Sequence, residues 1–319
     1  MKPLVTIGVP VYNGARLLRD ALDSLVAQDY TELEIIVSDN ASTDETPTIV
    51  AEYAKRDRRI RLARQSRNIG ATENFNALVG MAKGEYFGWA AHDDLRAPTH
   101  VSALVAALQA NPHAVAAQSR VACFYEEPSA PAFVRTNPLG DQHDPRWRFR
   151  TAIRSHWWTL VVFGLMRTDV LRKTGLIPTM IGGDKVLVTE LALRGEFAEV
   201  PETLFFYRDA PVYDAAYERK LRATLAIEQR SRLHEARRLG EKYLALAIAA
   251  DVDRITRVGL LDEIARWFVR YYLFLPGLQT ARAAFAGIPG ADRLIETIRA
   301  TGVYRRLLDP FGGPSARSS

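Results

Sequence analysis

The chain has 319 residues, of which 48% are hydrophobic and 25% charged, ordinary globular proportions that exclude collagen-like, disulfide-rich and largely disordered classes. A formal net charge of +5 suits an anionic ligand or surface, but the arginines are interleaved with Asp and Glu, which argues against a nucleic-acid platform. The single cysteine, Cys123, excludes an intrachain disulfide and a multi-cysteine zinc site, and it fits a reducing cytoplasm.

The opening MKPLVTIGVPVYN carries an early proline and no apolar stretch suited to a secretory signal. From there, short β-branched runs alternate with longer amphipathic stretches: Val5 to Val11 then Leu17 to Val26, Glu34 to Ser38 then Thr46 to Tyr53. Ile60 to Leu62 precedes Ala71 to Met81, and Tyr86 to Ala90 precedes Val101 to Leu108. Such alternation predicts an α/β fold with a mainly parallel central sheet flanked by helices.

Ligands of such sheets bind where strand carboxyl ends open into loops. Here those loops read Pro10-Val-Tyr-Asn13, Asp39-Asn-Ala-Ser-Thr-Asp44, Asn68-Ile-Gly70 and His92-Asp-Asp94. A proline-rich stretch, Glu126 to Pro145, reads as an irregular loop, either a closing flap or a surface excursion. The apolar run Trp157 to Met166 is expected as a returning strand, and Lys185 to Arg194 as a helix.

Beyond Pro211, apolar Tyr217, Leu221 and Leu225, then Leu233, Ala236 and Leu239, recur at helical spacing. This predicts a helical extension over 211–311 after a domain spanning 1–210, with a disordered tail at 312–319. Ile264 to Leu278 is broken by Arg266, Arg270 and Pro276, and falls short of the ~20 apolar residues a bilayer crossing needs. A packed carboxy-terminal helix is the first expectation; peripheral contact with the inner face of the membrane is the alternative.

Asp39 and Asp44 follow the apolar Ile35-Ile-Val37. A carboxylate there can accept the ring N–H of uracil or thymine. An Asx turn or helix cap is the other reading, favoured for Asp44 but not for Asp39. The strand Gly84-Glu-Tyr-Phe-Gly-Trp-Ala-Ala delivers Asp93 and Asp94 together, and hard cations such as Mg²⁺ or Mn²⁺ prefer such oxygen ligands.

Val9-Pro-Val-Tyr-Asn13, Val37-Ser-Asp-Asn-Ala-Ser-Thr-Asp44, Asn68-Ile-Gly70 with Asn74 and Asn76, Gly84-Glu-Tyr86 and Ala91-His-Asp-Asp94 arrive in that order. In this order they resemble a family 2 glycosyltransferase with the GT-A fold, the fold of nucleotide-diphospho-sugar transferases. The resemblance covers roughly the first 120 residues and implies that 1–120 form the nucleotide-sugar half and 121–210 the acceptor half. It implies donor contacts from Pro10, Tyr12, Asn13, Asp39, Asn68, Asn74, His92 and Asp93, with a divalent cation on Asp93 and Asp94.

The family's Asp-x-Asp falls on Ala91-His92-Asp93, so the first aspartate is missing and the last is kept. Gly182-Gly-Asp-Lys-Val-Leu187 resembles the segment that carries the acceptor-side base. This makes Asp184 the candidate general base of an inverting transfer from a UDP- or dTDP-sugar to an acceptor hydroxyl. A helix cap is its other reading.

Phe163-Gly-Leu-Met-Arg167 and Leu171 to Gly175 resemble acceptor-side segments. His156, Trp157 and Trp158 are sugar-stacking candidates, with core packing as the alternative. Arg208 is a candidate for the diphosphate or for an ordinary surface ion pair. A member that binds without catalysis is the rival reading, because Ala91 replaces a motif carboxylate. A dinucleotide oxidoreductase is disfavoured: its first strand should lead into G-x-G-x-x-G, whereas this one leads into Pro10-Val-Tyr-Asn-Gly14.

Overall fold

The computed structural model describes residues 2–136, 139, 142–154, 158–209, 219, 223–225 and 232–269. Strands β1 (Val5–Val11), β2 (Leu33–Asp39), β3 (Ile60–Arg64) and β4 (Tyr86–Trp89) alternate with helices α1 (Ala15–Val26), α2 (Thr46–Arg56) and α3 (Ala71–Met81). Then come β5 (Leu95–Arg96), α4 (His100–Ala110), β6 (Ala114–Phe124), β7 (Phe133–Arg135) and α5 (Pro145–Arg154). A 3-10 helix (Trp158–Phe163), β8 (Leu165–Arg167), α6 (Thr168–Leu171), α7 (Gly183–Arg194) and β9 (Glu196–Arg208) follow, and helices α8 (Arg232–Ala249) and α9 (Arg254–Val269) come last.

The strands form one sheet in the order β3-β2-β1-β4-β8-β6-β9-β5, with β7 on β6. β1, β2, β3 and β4 are parallel, as their sequence rhythm predicts. The second half mixes directions: β8 runs antiparallel to both β4 and β6, whereas β9 is parallel to β6 and β5 antiparallel to β9. Two antiparallel steps through β8 leave β6 and β9 pointing the same way as β4, so their carboxyl ends share one edge.

Both faces are covered because strand side chains alternate. Tyr86 joins the core with Leu18, Leu22, Ile49 and Leu104 of α1, α2 and α4. Phe87 and Trp89 face the opposite core with Leu78 and Val79 of α3 and Leu187 and Leu191 of α7. A third core unites Phe149 of α5, Val186 of α7, Leu239 and Tyr243 of α8, and Leu260 and Trp267 of α9. The carboxy-terminal helices therefore complete a surface of the α/β unit. Among the described residues no helix is long and apolar enough to cross a membrane.

Two expectations change, and two long strands appear that the sequence reading does not predict. The run Trp157 to Met166 is not one strand: a 3-10 helix over Trp158–Phe163 precedes the short β8, Trp157 lying outside the described residues. An unbroken apolar run has no period to separate strand from helix. Here Gly164 and Gly88 meet so closely that a Cβ on either would strike backbone oxygen, of Ala117 and of Gly164 respectively. Within the stretch read as an irregular loop, Phe133–Arg135 form β7, which pairs with β6 through Cys123↔Phe133 and Val121↔Arg135. Finally, the long β6 and β9, irregular in register at Ala114/Ala116 and Ser119/Arg120, carry no clean alternation that a sequence pattern could catch.

The expectations for His156, Tyr217, Leu221 and the tail 312–319 fall outside the described residues, as do the side chains of Trp158 and Leu233.

Candidate active site

The carboxyl edge of the sheet gathers the loops. Val11 is in register with Asp39, Asp39 with Arg64, and Gly8 with Trp89. Asp39 therefore ends β2 beside the end of β1, and the chain leaving β4 runs into His92, Asp93 and Asp94 on the same edge. α7 ends at Arg194, immediately before β9 starts at the opposite edge. Its first turn, carrying Asp184, thus lies toward the carboxyl side, one helix length of roughly 18 Å away.

The loops after β1 and β2 are fastened to each other. The Asn13 N–H donates to Ser42 Oγ (2.9 Å), and Asn13 Oδ1 accepts from the Thr43 N–H (2.9 Å). The Gly14 N–H reaches Thr46 Oγ1 (3.0 Å), and the Ala15 N–H reaches Asp44 Oδ2 (3.1 Å). Asp44 Oδ1 also accepts the Thr46 N–H at 3.0 Å, so one carboxylate serves the amino termini of α1 and α2. Partial burial raises the Asp44 pKa, but the bonds from Thr46 and Ala15 outweigh it and hold the carboxyl below its ordinary value. Left-handed backbone at Asn13 (φ 52°) and Ala41 (φ 61°) shapes these two loops.

Asp39 is fully buried. Its Oδ1 accepts the Ser42 N–H (2.9 Å), while Oδ2 faces the Arg64 guanidinium at 3.2 Å in an ion pair without hydrogen-bond geometry. Arg64 is half exposed and also donates to Ser42 O (2.9 Å). Pro10 is buried at the end of β1, and Tyr12 is exposed beside it.

Asn68 and Asn74 are engaged with protein. Asn74 joins α3 to β2 by accepting from Ser38 Oγ (2.6 Å) and donating to Ser38 O (2.9 Å). Asn68 Oδ1 accepts from Asn40 Nδ2 (2.9 Å) and from the Gly70 N–H (2.8 Å). Asn76 bonds both ways with Ile177, to its carbonyl at 2.9 Å and from its N–H at 3.2 Å, tying α3 to the segment before α7.

His92 lies over the start of α1: a Cβ on Gly14 would stand 2.6 Å from its Cδ2. Asp93 is partly exposed, whereas Asp94 is 1% exposed. Asp94 Oδ1 accepts the Arg208 N–H at 2.9 Å, and burial together with the neighbouring Asp93 charge pushes its pKa up to about 8. Behind it lies buried Arg96, held by Trp89 O (2.9 Å) and stacked over Phe205 at 4.9 Å, its pKa brought down to about 10 by burial against the pull of Asp94. Burial, then the Arg96 charge, keeps His100 well below the usual histidine range. The sequence singles out Asp94 as a cation ligand but not its burial beside Arg96 and His100, which follows from the pairing of β5 with the distant β9.

Arg208 bonds Asp93 O (3.2 Å) and Glu126 O (3.3 Å) and stacks on Phe124 at 4.7 Å. Asp184 is half-buried in the first turn of α7, its Oδ1 accepting the Lys185 N–H at 2.9 Å. Burial lowers the Lys185 pKa, and Asp184 opposes that shift. Among the described residues no group of three or more His, Cys, Asp or Glu side chains could by itself hold a metal ion. The Asp93-Asp94 turn, with Asp93 partly exposed and Asp94 buried, fits only a cation that completes its shell from elsewhere, as Mg²⁺ commonly does with substrate phosphates and water.

The family model described as glycosyl transferase family 2 matches residues 6–177. The glycosyltransferase YibD of Escherichia coli K12 is 31% identical over 324 residues, covering 95% of this chain and 86% of that protein. Glycosyltransferase RT0329 of Rickettsia typhi is 41% identical over 99 residues, but these make up 31% of this chain and 30% of the relative. Among solved structures, Staphylococcus aureus TarS 1–349 in complex with UDP-GlcNAc aligns over 97% of this chain and 91% of that one, with a TM-score of 0.61 and 17% identity. The mannosyltransferase PcManGT of Pyrobaculum calidifontis, in complex with GDP-Man and Mn²⁺, aligns over 97% and 84%, with a TM-score of 0.59 and 23% identity. At these identities the structural likeness concerns the fold.

Proposed function

This chain belongs to glycosyl transferase family 2 and has the GT-A fold, and from that premise we propose that it moves a sugar from a UDP- or dTDP-sugar to an acceptor hydroxyl with inversion. The observation that supports the reading is that Asp39 and the Asp93 loop leave the carboxyl ends of the parallel strands β2 and β4, the edge toward which the chain order directs the first turn of α7. Three carboxylates distant in sequence serve there a base, a diphosphate and an attacking alcohol.

Asp39 recognises the pyrimidine. Ser42 holds one carboxylate oxygen; the other makes no hydrogen bond and is covered by the half-exposed Arg64 guanidinium, and it accepts the ring N–H once that side chain swings aside. Asn13, Asp44, Asn68 and Asn74 keep the surrounding loops in shape, and His92 over Gly14 closes one side.

Asp93 holds the divalent cation, Mn²⁺ or Mg²⁺, toward the diphosphate. When bound, that cation offsets negative charge developing on the leaving nucleotide diphosphate. Asp184 takes the acceptor hydroxyl's proton while the oxygen attacks the anomeric carbon and the bond from that carbon to the diphosphate oxygen breaks on the opposite face.

We assign residues 1–120 to the donor and 121–210 to the acceptor, with the described helices α8 and α9 as an extension packed on α5 and α7. On α9, exposed Ile255, Val258, Leu261 and Phe268 suit peripheral contact with a lipid surface; flotation with vesicles tests this, and failure to float in any lipid mixture removes it.

A thermal-shift screen of nucleotide sugars with Mn²⁺ tests the main reading, since a bound donor raises the melting temperature according to its affinity. The best donor should then be turned over, with kcat falling at least ~100-fold in Asp184→Asn while UDP affinity is kept. Cation-independent nucleotide binding without turnover would favour the non-catalytic reading that Ala91 raises.

A further inference from the structure

We propose that Asp94 is not itself a cation ligand but a positioning residue for Asp93, and that Arg208 is the other half of the same clasp. The inference rests on the reading of Asp93 as the carboxylate that holds the cation.

The geometry is reciprocal. Arg208 grips the two consecutive aspartates from both kinds of group: its backbone N–H donates to the side chain of Asp94 (2.9 Å), and its side-chain Nε donates to the backbone carbonyl of Asp93 (3.2 Å). Asp94 is turned into the protein, 1% exposed, with Oδ1 already committed to that bond. Its Oδ2 makes no hydrogen bond but is buried as well, so the carboxylate offers a surface ion no accessible oxygen, whereas Asp93 is partly exposed.

The clasp is itself anchored. Arg208 ends β9 in register with Phe124 of β6, the Asp209 N–H donates to Phe124 O (2.8 Å), and the Arg208 guanidinium rests on the Phe124 ring while donating to Glu126 O (3.3 Å). On the far side of the aspartates, Leu95 and Arg96 pair with Phe206 and Phe205 of the same strand. Residues 93 and 94 thus hang between β4 and β5 but take their orientation from β9. A bidentate or bridging carboxylate must be aimed as well as present, and loss of groups that hold a metal ligand in place typically costs 10–100-fold in metal affinity.

The test uses the full chain, with UDP affinity titrated calorimetrically against Mn²⁺ and melting temperature recorded alongside. Asp94→Ala and Arg208→Gln should each raise the Mn²⁺ concentration for half-maximal enhancement about tenfold or more. Asp94→Asn keeps a carbonyl acceptor for the Arg208 N–H and should raise it no more than about threefold. Saturating Mn²⁺ should restore UDP affinity in all three, which a general loss of structure would not permit.

If Asp94→Asn is as damaging as Asp94→Ala, the carboxylate's charge is what matters and the proposal is overturned. No shift in either Asp94→Ala or Arg208→Gln, or a deficit that saturating Mn²⁺ leaves unrepaired, overturns it equally. Should Asp94→Ala fail to fold, Arg208→Gln, which keeps the backbone N–H, decides. Failure of the underlying reading is separately visible: the parent protein's UDP binding would then be indifferent to Mn²⁺, and the inference would fall with it.

Discussion

Asparagine at position 39 would keep the shape of the Asp39 side chain and reverse the hydrogen-bonding sense of one atom. The Ser42 N–H, 2.9 Å from Oδ1, selects the carbonyl end of the new amide, so the NH₂ takes the place of Oδ2, where Arg64 stands 3.2 Å away. A uracil ring N–H then meets a donor instead of an acceptor, whereas cytosine, with an acceptor nitrogen at that ring position, meets a partner. A hydrogen bond to a charged group contributes about 1.5–3 kcal/mol, so Asp39→Asn should weaken UDP by roughly 10- to 150-fold and move the preference toward CDP. The fold should survive, because the Ser42 N–H keeps a carbonyl acceptor and the Arg64 guanidinium, half exposed and bonded to Ser42 O, can turn to water. Calorimetric titration of UDP, CDP and GDP in the presence of Mn²⁺ measures the ranking. An unchanged UDP-to-CDP ratio in a folded variant would refute the assignment of Asp39 to the base.

Three further outcomes are expected. Asp44→Ala should cost about 1–2 kcal/mol, a fall of about 1.5–3 °C in melting temperature at ~2.1 cal/mol/K of unfolding entropy per residue, since it uncaps α1 and α2 together. Because the folded-state pKa of Asp44 is depressed, its contribution is present above the unfolded value near ~4 and fades as pH falls through the folded one. The gap between parent and variant should therefore close on acidification; a gap that persists into strong acid would rule the carboxylate out. Gly14→Ala should displace both the His92 ring and the Val11 side chain, whose Cδ2 and Cγ2 would each lie 2.6 Å from the added methyl, and weaken UDP; equal affinity would free His92 from any part in the site. Asp93→Ala should weaken UDP only when a divalent cation is present, and equal loss with EDTA would remove it from the cation's shell.

Much of the amino-terminal half was legible from residues alone. The runs Val5 to Val11 and Ala71 to Met81 coincide with β1 and α3, because burial of a strand and amphipathy of a helix are written in local spacing. The helix from Lys185 was likewise anticipated, its start set two residues earlier at Gly183 by the left-handed Gly182. The same logic failed at Trp158–Phe163 and β8, where close backbone approach at Gly88 and Gly164 decided the conformation. It also failed at β6 and β9, whose pairing is irregular and spans residues far apart in sequence.

Among the site residues, the sequence by itself determined which loops carry carboxylates, and the ordered motifs were enough to assign the family. Only the tertiary structure decided what each polar group is bonded to. Asn74 proves to be a fastener between β2 and α3 and Arg208 a grip on the Asp93-Asp94 turn, while the helix cap that the sequence favours for Asp44 proves to serve α1 as well as α2. Periodicity and composition act over a few residues and specify secondary structure. A hydrogen bond between residues 94 and 208 depends on how a whole sheet brings its edges together, and no local pattern encodes that distance.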